Sequence, residues 1–197
     1  MRALTSGSLG VLILLLDVAC GAVAVPTTPE PLYTVTSTVM QAPGSAPRAC
    51  FAMPLPEPPI GCGGPDVRGL DMVSAPGATR YRNGVRATGV LRLVGTWDGQ
   101  ALALTRRPDA AQMSDQTQMP ICAQETGTSS AEPPPPLMQK VMDDEALLKS
   151  HGILLLEFGP CKGTVFLGIA VADSKSVDFL TSRYGHVEIA GWLQPLG

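Results

Sequence analysis

Apolar and polar residues alternate most regularly in Val85–Thr105, VRATGVLRLVGTWDGQALALT. Two apolar runs flank Asp98-Gly99, a dipeptide suited to a two-residue hairpin turn because both positions take positive φ. Pairing outward from that turn sets Trp97 against Gln100, Gly95 against Leu102 and Leu93 against Leu104. Leu91 and Leu93 then share a face with Leu102 and Leu104. That face demands a core, whereas Arg92, Val94, Thr96, Ala101 and Ala103 form a lighter face that tolerates water. A one-residue slip exchanges the faces, so the pattern predicts a firm register.

Upstream, Leu32–Gln41 (LYTVTSTVMQ) is rich in β-branched residues and reads as a strand. Ala42–Arg48 reads as a loop, and Ala49–Met53 as a short strand carrying Cys50. Pro54–Pro65 holds five prolines and three glycines, which no helix or central strand survives. Its glycines lack the Lys-Ser/Thr and the strand-to-helix setting of a phosphate loop, so they read as turns. Val67–Val73 is a short strand, with Asp71 expected to bond turn amides, and Ser74–Gly84 is a loop marked by Asn83-Gly84. About five short strands in residues 32–105 predict a small antiparallel β-barrel or sandwich, with an OB-like barrel as one candidate.

Downstream the period changes. Residues 106–136 form a polar, proline-rich linker that ends in four consecutive prolines, and a domain boundary is expected near Pro133. Leu137–Ser150 reads as a helix stopped by Gly152, Ile153–Phe158 and Thr164–Ala172 as strands, and Gly159–Gly163 as the turn between them. Asp173 is placed to cap a helix that runs to Tyr184 and stops at Gly185, and His186–Gly191 returns as a strand. Residues 137–197 are therefore an α-β-β-α-β segment whose helices cover one side of a short sheet. The whole chain reads as α+β.

The chain starts with Arg2 and an apolar run, Leu9–Leu16, of signal-peptide length. Two processings are open. Cleavage after Ala22-Val23-Ala24 removes residues 1–24 and starts the mature chain at Val25. Lipidation of Cys20 instead holds the protein at a membrane's outer face, with residues 25–31 as part of an extended tether. In a lipoprotein signal an aliphatic residue stands where this chain has Asp17. Either route leaves four cysteines, Cys50, Cys62, Cys122 and Cys161, in an oxidising compartment. A local Cys50–Cys62 bridge is expected, with Cys122–Cys161 by elimination, although sequence alone permits three pairings.

From Val25 the chain carries 13 basic and 16 acidic side chains. Nothing in that balance or its spacing resembles a nucleic-acid surface. Arg80, Arg82, Arg86 and Arg92 form a loose group that reads as wet strand faces. His151 and His186 read as helix-end and surface residues and belong to no metal or catalytic pattern. No GxSxG elbow is present, Asp143-Asp144-Glu145 reads as a solvated helix face, and Asp98 is accounted for by its turn, which leaves Asp71 without an acid–base partner. No catalytic residue, metal ligand or cofactor is expected. Trp97 and Trp192 are the candidate ligand contacts.

The pieces Ala49-Cys50, Pro58–Asp71 (PPIGCGGPDVRGLD), Val85–Gly99 (VRATGVLRLVGTWDG) and Ser182–Leu196 (SRYGHVEIAGWLQPL) resemble a family of small exported proteins, often lipoproteins, of high-GC Gram-positive bacteria. The resemblance covers about half of the chain. Leu70 stands where an aromatic is common, and the stretch around Cys122 lacks the usual prolines. The resemblance implies that Cys50, Cys62, Gly63, Gly64 and Asp71 determine the fold, and it implies no activity. The expectation is a secreted or membrane-anchored envelope protein, more a binder than an enzyme, with an envelope protein or glycan as partner. A carbohydrate- or lipid-binding module and a hydrolase with an unfamiliar site are the alternatives.

Overall fold

The computed structural model describes residues 30–51, 59–119, 136–161 and 164–197. The signal segment, most of the tether and Cys122 lie outside the described residues. The first strands are β1 (Leu32–Gln41), β2 (Arg48–Ala49), β3 (Asp66–Arg68), β4 (Thr79–Arg80), β5 (Arg86–Trp97), β6 (Ala101–Leu104) and β7 (Asp109–Ala110). A short 3-10 turn (Met113–Asp115) comes next. The second part comprises α1 (Pro136–Asp143), α2 (Glu145–Ser150), β8 (Leu155–Cys161), β9 (Thr164–Ile169), α3 (Ser174–Tyr184), β10 (Val187–Gly191) and β11 (Gln194–Pro195).

Five strands close a ring in the order β1-β2-β3-β6-β5, with β5 returning to β1. The protein is thus an α+β fold with a barrel-like N-terminal region. The ring is mixed rather than wholly antiparallel as expected, because β3 pairs parallel to β6. β6 turns back beside β5, and its other edge then meets a strand running the same way.

The hairpin exists, but its register differs from the expected one by two residues. Gly95 lies opposite Leu104, Thr96 opposite Ala103 and Trp97 opposite Leu102. The turn residues are Gly99 and Gln100, with the Asp98 amide donating to the Ala101 carbonyl at 3.3 Å. Asp98 Oδ1 accepts from the amides of Gln100 (3.0 Å) and Ala101 (2.8 Å), so Asp98 flanks the turn instead of forming its centre. Gly99, at φ 95°, supplies the positive φ. A shift of two preserves the faces, and Leu91, Leu93 and Leu102 are fully buried. Val94 and Ala101 are buried too, so the second face is not a wet one.

One edge of β1 lies along β5, from Leu32 opposite Thr96 to Gln41 opposite Arg86. Its other edge is shared. β11 pairs at Tyr33 and Thr34, Thr117 exchanges two bonds with Thr36 (2.8 and 2.9 Å), and β2 pairs at Val39 and Met40. The stretch read as a linker is therefore, over its described residues 106–119, bonded to the barrel. β7 adds to β5 at Leu91 and Arg92, and Met119 is buried in the core.

The second sheet has the order β10-β9-β8, with β10 parallel and β8 antiparallel to β9. β9 is covered on both faces, which explains its unbroken apolar run. Val165, Leu167 and Ile169 pack with Val141, Leu148 and Leu180 of the helices, while Phe166 joins the cluster holding Tyr33, Val35, Leu91 and Trp192. Pro160 falls inside β8, not in a turn, which an edge strand allows. The single helix expected over Leu137–Ser150 is two, broken at Asp144. Asp173 Oδ1 caps α3 by accepting from the Ser176 amide at 2.7 Å, and Gly185 ends the helix at φ 76°.

Cys50 and Cys62 form a disulfide, with Cα atoms 5.4 Å apart. Cys161 is also disulfide-bonded. Replacing Cys50 and Cys62 together with serine is expected to lower stability by about 1–3 kcal/mol, within the range of small-loop bridges. The ring should persist, because the Ala49 amide still donates to Pro65 O, the Phe51 amide to Gly63 O and the Cys50 amide to Thr38 O. Limited proteolysis with fragment sequencing checks this. Cleavage should begin between Phe51 and Cys62, and first cleavage within residues 106–119 instead would show that the bridge does not pin this loop.

Candidate functional site

β3 and β6 run parallel and finish together, and the chain leaving each builds one wall of an open cleft of about 460 Å³. One wall is Gly69–Asp71 and Ser74–Pro76, and the other is Leu104–Pro108. Gly69 (φ 81°) turns the first wall away from β3, close enough that a Cβ there would sit 3.7 Å from Leu104 Cβ. Asp71 holds the turn as expected, with Oδ1 accepting from the Val73 amide at 2.9 Å and Oδ2 from the Ser74 hydroxyl at 2.7 Å. The Ser74 hydroxyl, the Val73 amide and the positive charge of Arg86 hold its carboxyl below the usual carboxylate range. The second wall starts where the Thr105 amide donates to Val94 O at 3.1 Å.

Arg106 and Arg107 are exposed on that second wall. The described ion pairs are Arg48–Asp66, Arg68–Asp98 and Arg183–Asp144, so neither cleft arginine is engaged in one. Leu70 and Leu104, partly buried against the main core, are the leucines of the lining. Two arginines and two leucines lining one cleft suit an organic oxyanion, because a guanidinium fork can donate two parallel hydrogen bonds. The reading of residues 106–136 as linker hid this wall. The signal was Thr105-Arg106-Arg107-Pro108 directly after a strand.

Trp192 is fully buried, donates its indole N–H to Thr117 O at 3.0 Å and meets Phe51 edge-to-face, so it is a core residue and not a surface contact. Trp97 is partly buried against the same core. His151 ends α2 with its ring 4.1 Å from that of Phe179, and His186 precedes β10, with its carbonyl accepting from the Thr164 hydroxyl. Neither histidine lines the cleft. Arg80 and Arg86 lie opposite each other across β4 and β5, whereas Arg92 lies opposite Asp109. Asp98 bonds Arg68 and the turn amides, and does not join Asp71 in the cleft. The turn amides and Arg68 outweigh partial burial and hold its carboxyl low. Among the described residues, no three His, Cys, Asp or Glu side chains come together to hold a metal ion. No helix among them is long and apolar enough to cross a membrane.

Asp144, expected on a solvated helix face, instead ties the helices together. Its carboxylate accepts from Arg183 Nε (2.9 Å), Arg183 Nη2 (2.7 Å) and the Tyr184 hydroxyl (3.0 Å). The Arg183 bonds, followed by the Tyr184 bond, lower its pKa. Burial, and then the bond to Asp144, push the Tyr184 hydroxyl up to about 12. A folded-state pKa above the ordinary value of about 10 means that folding favours the protonated phenol. Its contribution is complete below pH 10 and is lost as pH rises toward 12. Tyr33 adds in the same direction, because burial and Asp173 raise its pKa as well. Tyr184→Phe should therefore flatten, but not abolish, the alkaline fall in stability. Urea midpoints at closely spaced pH values check this, and an unchanged slope would show that the hydroxyl carries no linkage. Acid works oppositely at Asp144, whose contribution is lost as pH falls through its lowered pKa.

Comparison with family profiles, curated proteins and solved structures finds no match to this chain.

Proposed function

We propose that the chain is an exported protein of the cell envelope or secreted space, built on an OB-type barrel, that binds a partner without transforming it. Counted within the ring, the strands follow the order first-second-third-fifth-fourth, with the parallel pair between third and fifth. That connectivity supports the OB assignment. Export is supported by the Cys50–Cys62 bridge and the bonded state of Cys161, since such crosslinks persist in oxidising compartments. The observation that carries the binding reading is the open cleft with two arginines that join none of the ion pairs among the described residues. The strand face that OB barrels commonly use carries Arg48–Asp66, and Arg68 of β3 pairs with Asp98 at the hairpin tip. These neutralised cations weigh against a phosphate backbone tracking across that face.

N-terminal mass spectrometry of the protein recovered from its producing cells tests the export reading. A chain beginning at Val25, or a diacylated Cys20, is the expected result. Retention of residues 1–24 with no acyl chain overturns it. Glycan or lipid binding is a second reading, and its one remaining tryptophan contact is Trp97, a partly buried residue beside the hairpin tip. A shift in tryptophan emission on adding envelope glycans, lost in Trp97→Phe, would favour it.

A further inference from the structure

We propose that the Arg106–Arg107 cleft is a binding site for a phosphodiester, the headgroup chemistry of anionic lipids and of soluble glycerophosphodiesters. The inference rests on the binding-module reading above and names its ligand class. The residues that line it include two arginines and one aspartate, Asp71, a net of one positive charge. Asp71 would repel an anion, but its oxygens are turned to the Val73 amide and the Ser74 hydroxyl, and Arg86 acts on it from outside the lining. A singly charged ligand therefore balances the site, as a phosphodiester does and a phosphate monoester does not. A phosphodiester also offers two free oxygens that a guanidinium fork can engage, and unlike a carboxylate it carries an organic group on each of two sides. The cleft, at about 460 Å³, is larger than a bare oxyanion needs and lies in the range of small organic ligands. Leu70 and Leu104 would receive the carbon body attached to the phosphate.

Calorimetric titration of the mature chain with glycerophosphoglycerol, alongside flotation with phosphatidylglycerol and phosphatidylcholine vesicles, tests the assignment. Saturable binding is expected in at least one anionic arm, weakening as salt is added. Binding in both arms, or to vesicles alone, identifies a lipid headgroup as the source, and binding only in solution identifies a free diester. Arg106→Gln and Arg107→Gln should each weaken binding about tenfold or more, the usual loss for a charge-assisted hydrogen bond. Arg92→Gln, an exposed arginine outside the cleft, should leave it unchanged. Near-UV circular dichroism confirms that each variant is folded. Tighter binding of acetate or of a short oligonucleotide, or equal loss in Arg92→Gln, overturns the phosphodiester assignment. If another ligand binds and both cleft variants retain it fully, the cleft assignment falls while the binding-module reading stands. If neither the anionic arms nor envelope glycans bind, the phosphodiester assignment and the glycan- or lipid-binding reading both fall.

Discussion

Trp192→Ala is expected to destabilise the protein by about 3–5 kcal/mol, the range for emptying a buried aromatic site. Folded domains of this size are stable by only about 5–15 kcal/mol, so the loss is a large share of the whole. Trp192 is fully buried at the junction of the two sheets. Its amide donates to Ile169 O at the end of β9, and its indole N–H donates to Thr117 O, beside β1. Its ring meets Phe51, just past β2, with centroids 5.6 Å apart. Truncation leaves a void and removes the donor from Thr117 O, whose residue also bonds the edge of β1. Trp192→Phe should cost less, since it keeps most of the volume and loses the hydrogen bond. Denaturant melts followed by far-UV circular dichroism measure both. A loss below about 1 kcal/mol for the alanine variant would mean that the site collapses without cost, and that this side chain does not couple the sheets.

Gly64→Ala is expected to cost about 2–5 kcal/mol, whereas Gly63→Ala should change stability by less than about 0.5 kcal/mol. The two glycines are adjacent in sequence and opposite in circumstance. Gly64 has φ 143°, a region that essentially only glycine occupies, and a Cβ there would lie 1.9 Å from the Ala49 carbonyl oxygen. That oxygen is backbone, fixed because the Ala49 amide donates to Pro65 O and β2 pairs with β1. Nothing lies within 4 Å of a Cβ on Gly63. Thermal and chemical melts of the two variants, run side by side, make the test. Equal effects would show that the close approach of residues 63–65 to β2 is not what holds the third ring strand in place.

Several local features were legible in the sequence because neighbours along the chain decide them. The bounds of β1 follow from a β-branched run between prolines and a loop, and β1 spans Leu32–Gln41 as read. The cap and stop of α3 follow from Asp173 and Gly185, whose roles need only the adjacent backbone. The Cys50–Cys62 bridge closes a loop short enough to form locally. Asp71 bonds its own turn for the same reason.

The cleft was much less legible. Its first wall contains Asp71, which sequence reading singled out as a turn residue and a determinant of the fold. Its second wall, with both arginines, fell in a stretch read as linker, because polarity and proline content do not reveal that β7 and Thr117 bond to the barrel. Only the meeting of two parallel strand ends, 35 residues apart in register at Asp66 and Ala101, brings the walls together.

The sequence by itself determined the bounds of β1, the cap and stop of α3, the turn held by Asp71 and the local Cys50–Cys62 bridge. The tertiary structure decided the rest. It set the hairpin two residues from its expected register, because an even shift preserves both faces and only the capping bonds of Asp98 distinguish the alternatives. It made Asp144 an anchor instead of a surface charge, because its partners Arg183 and Tyr184 lie on another helix. It buried Trp192, because the final strand returns to the free edge of the first. Hydrophobic period and turn chemistry act over a few residues, whereas register, burial and ion pairing are settled by segments that meet only when the chain is folded.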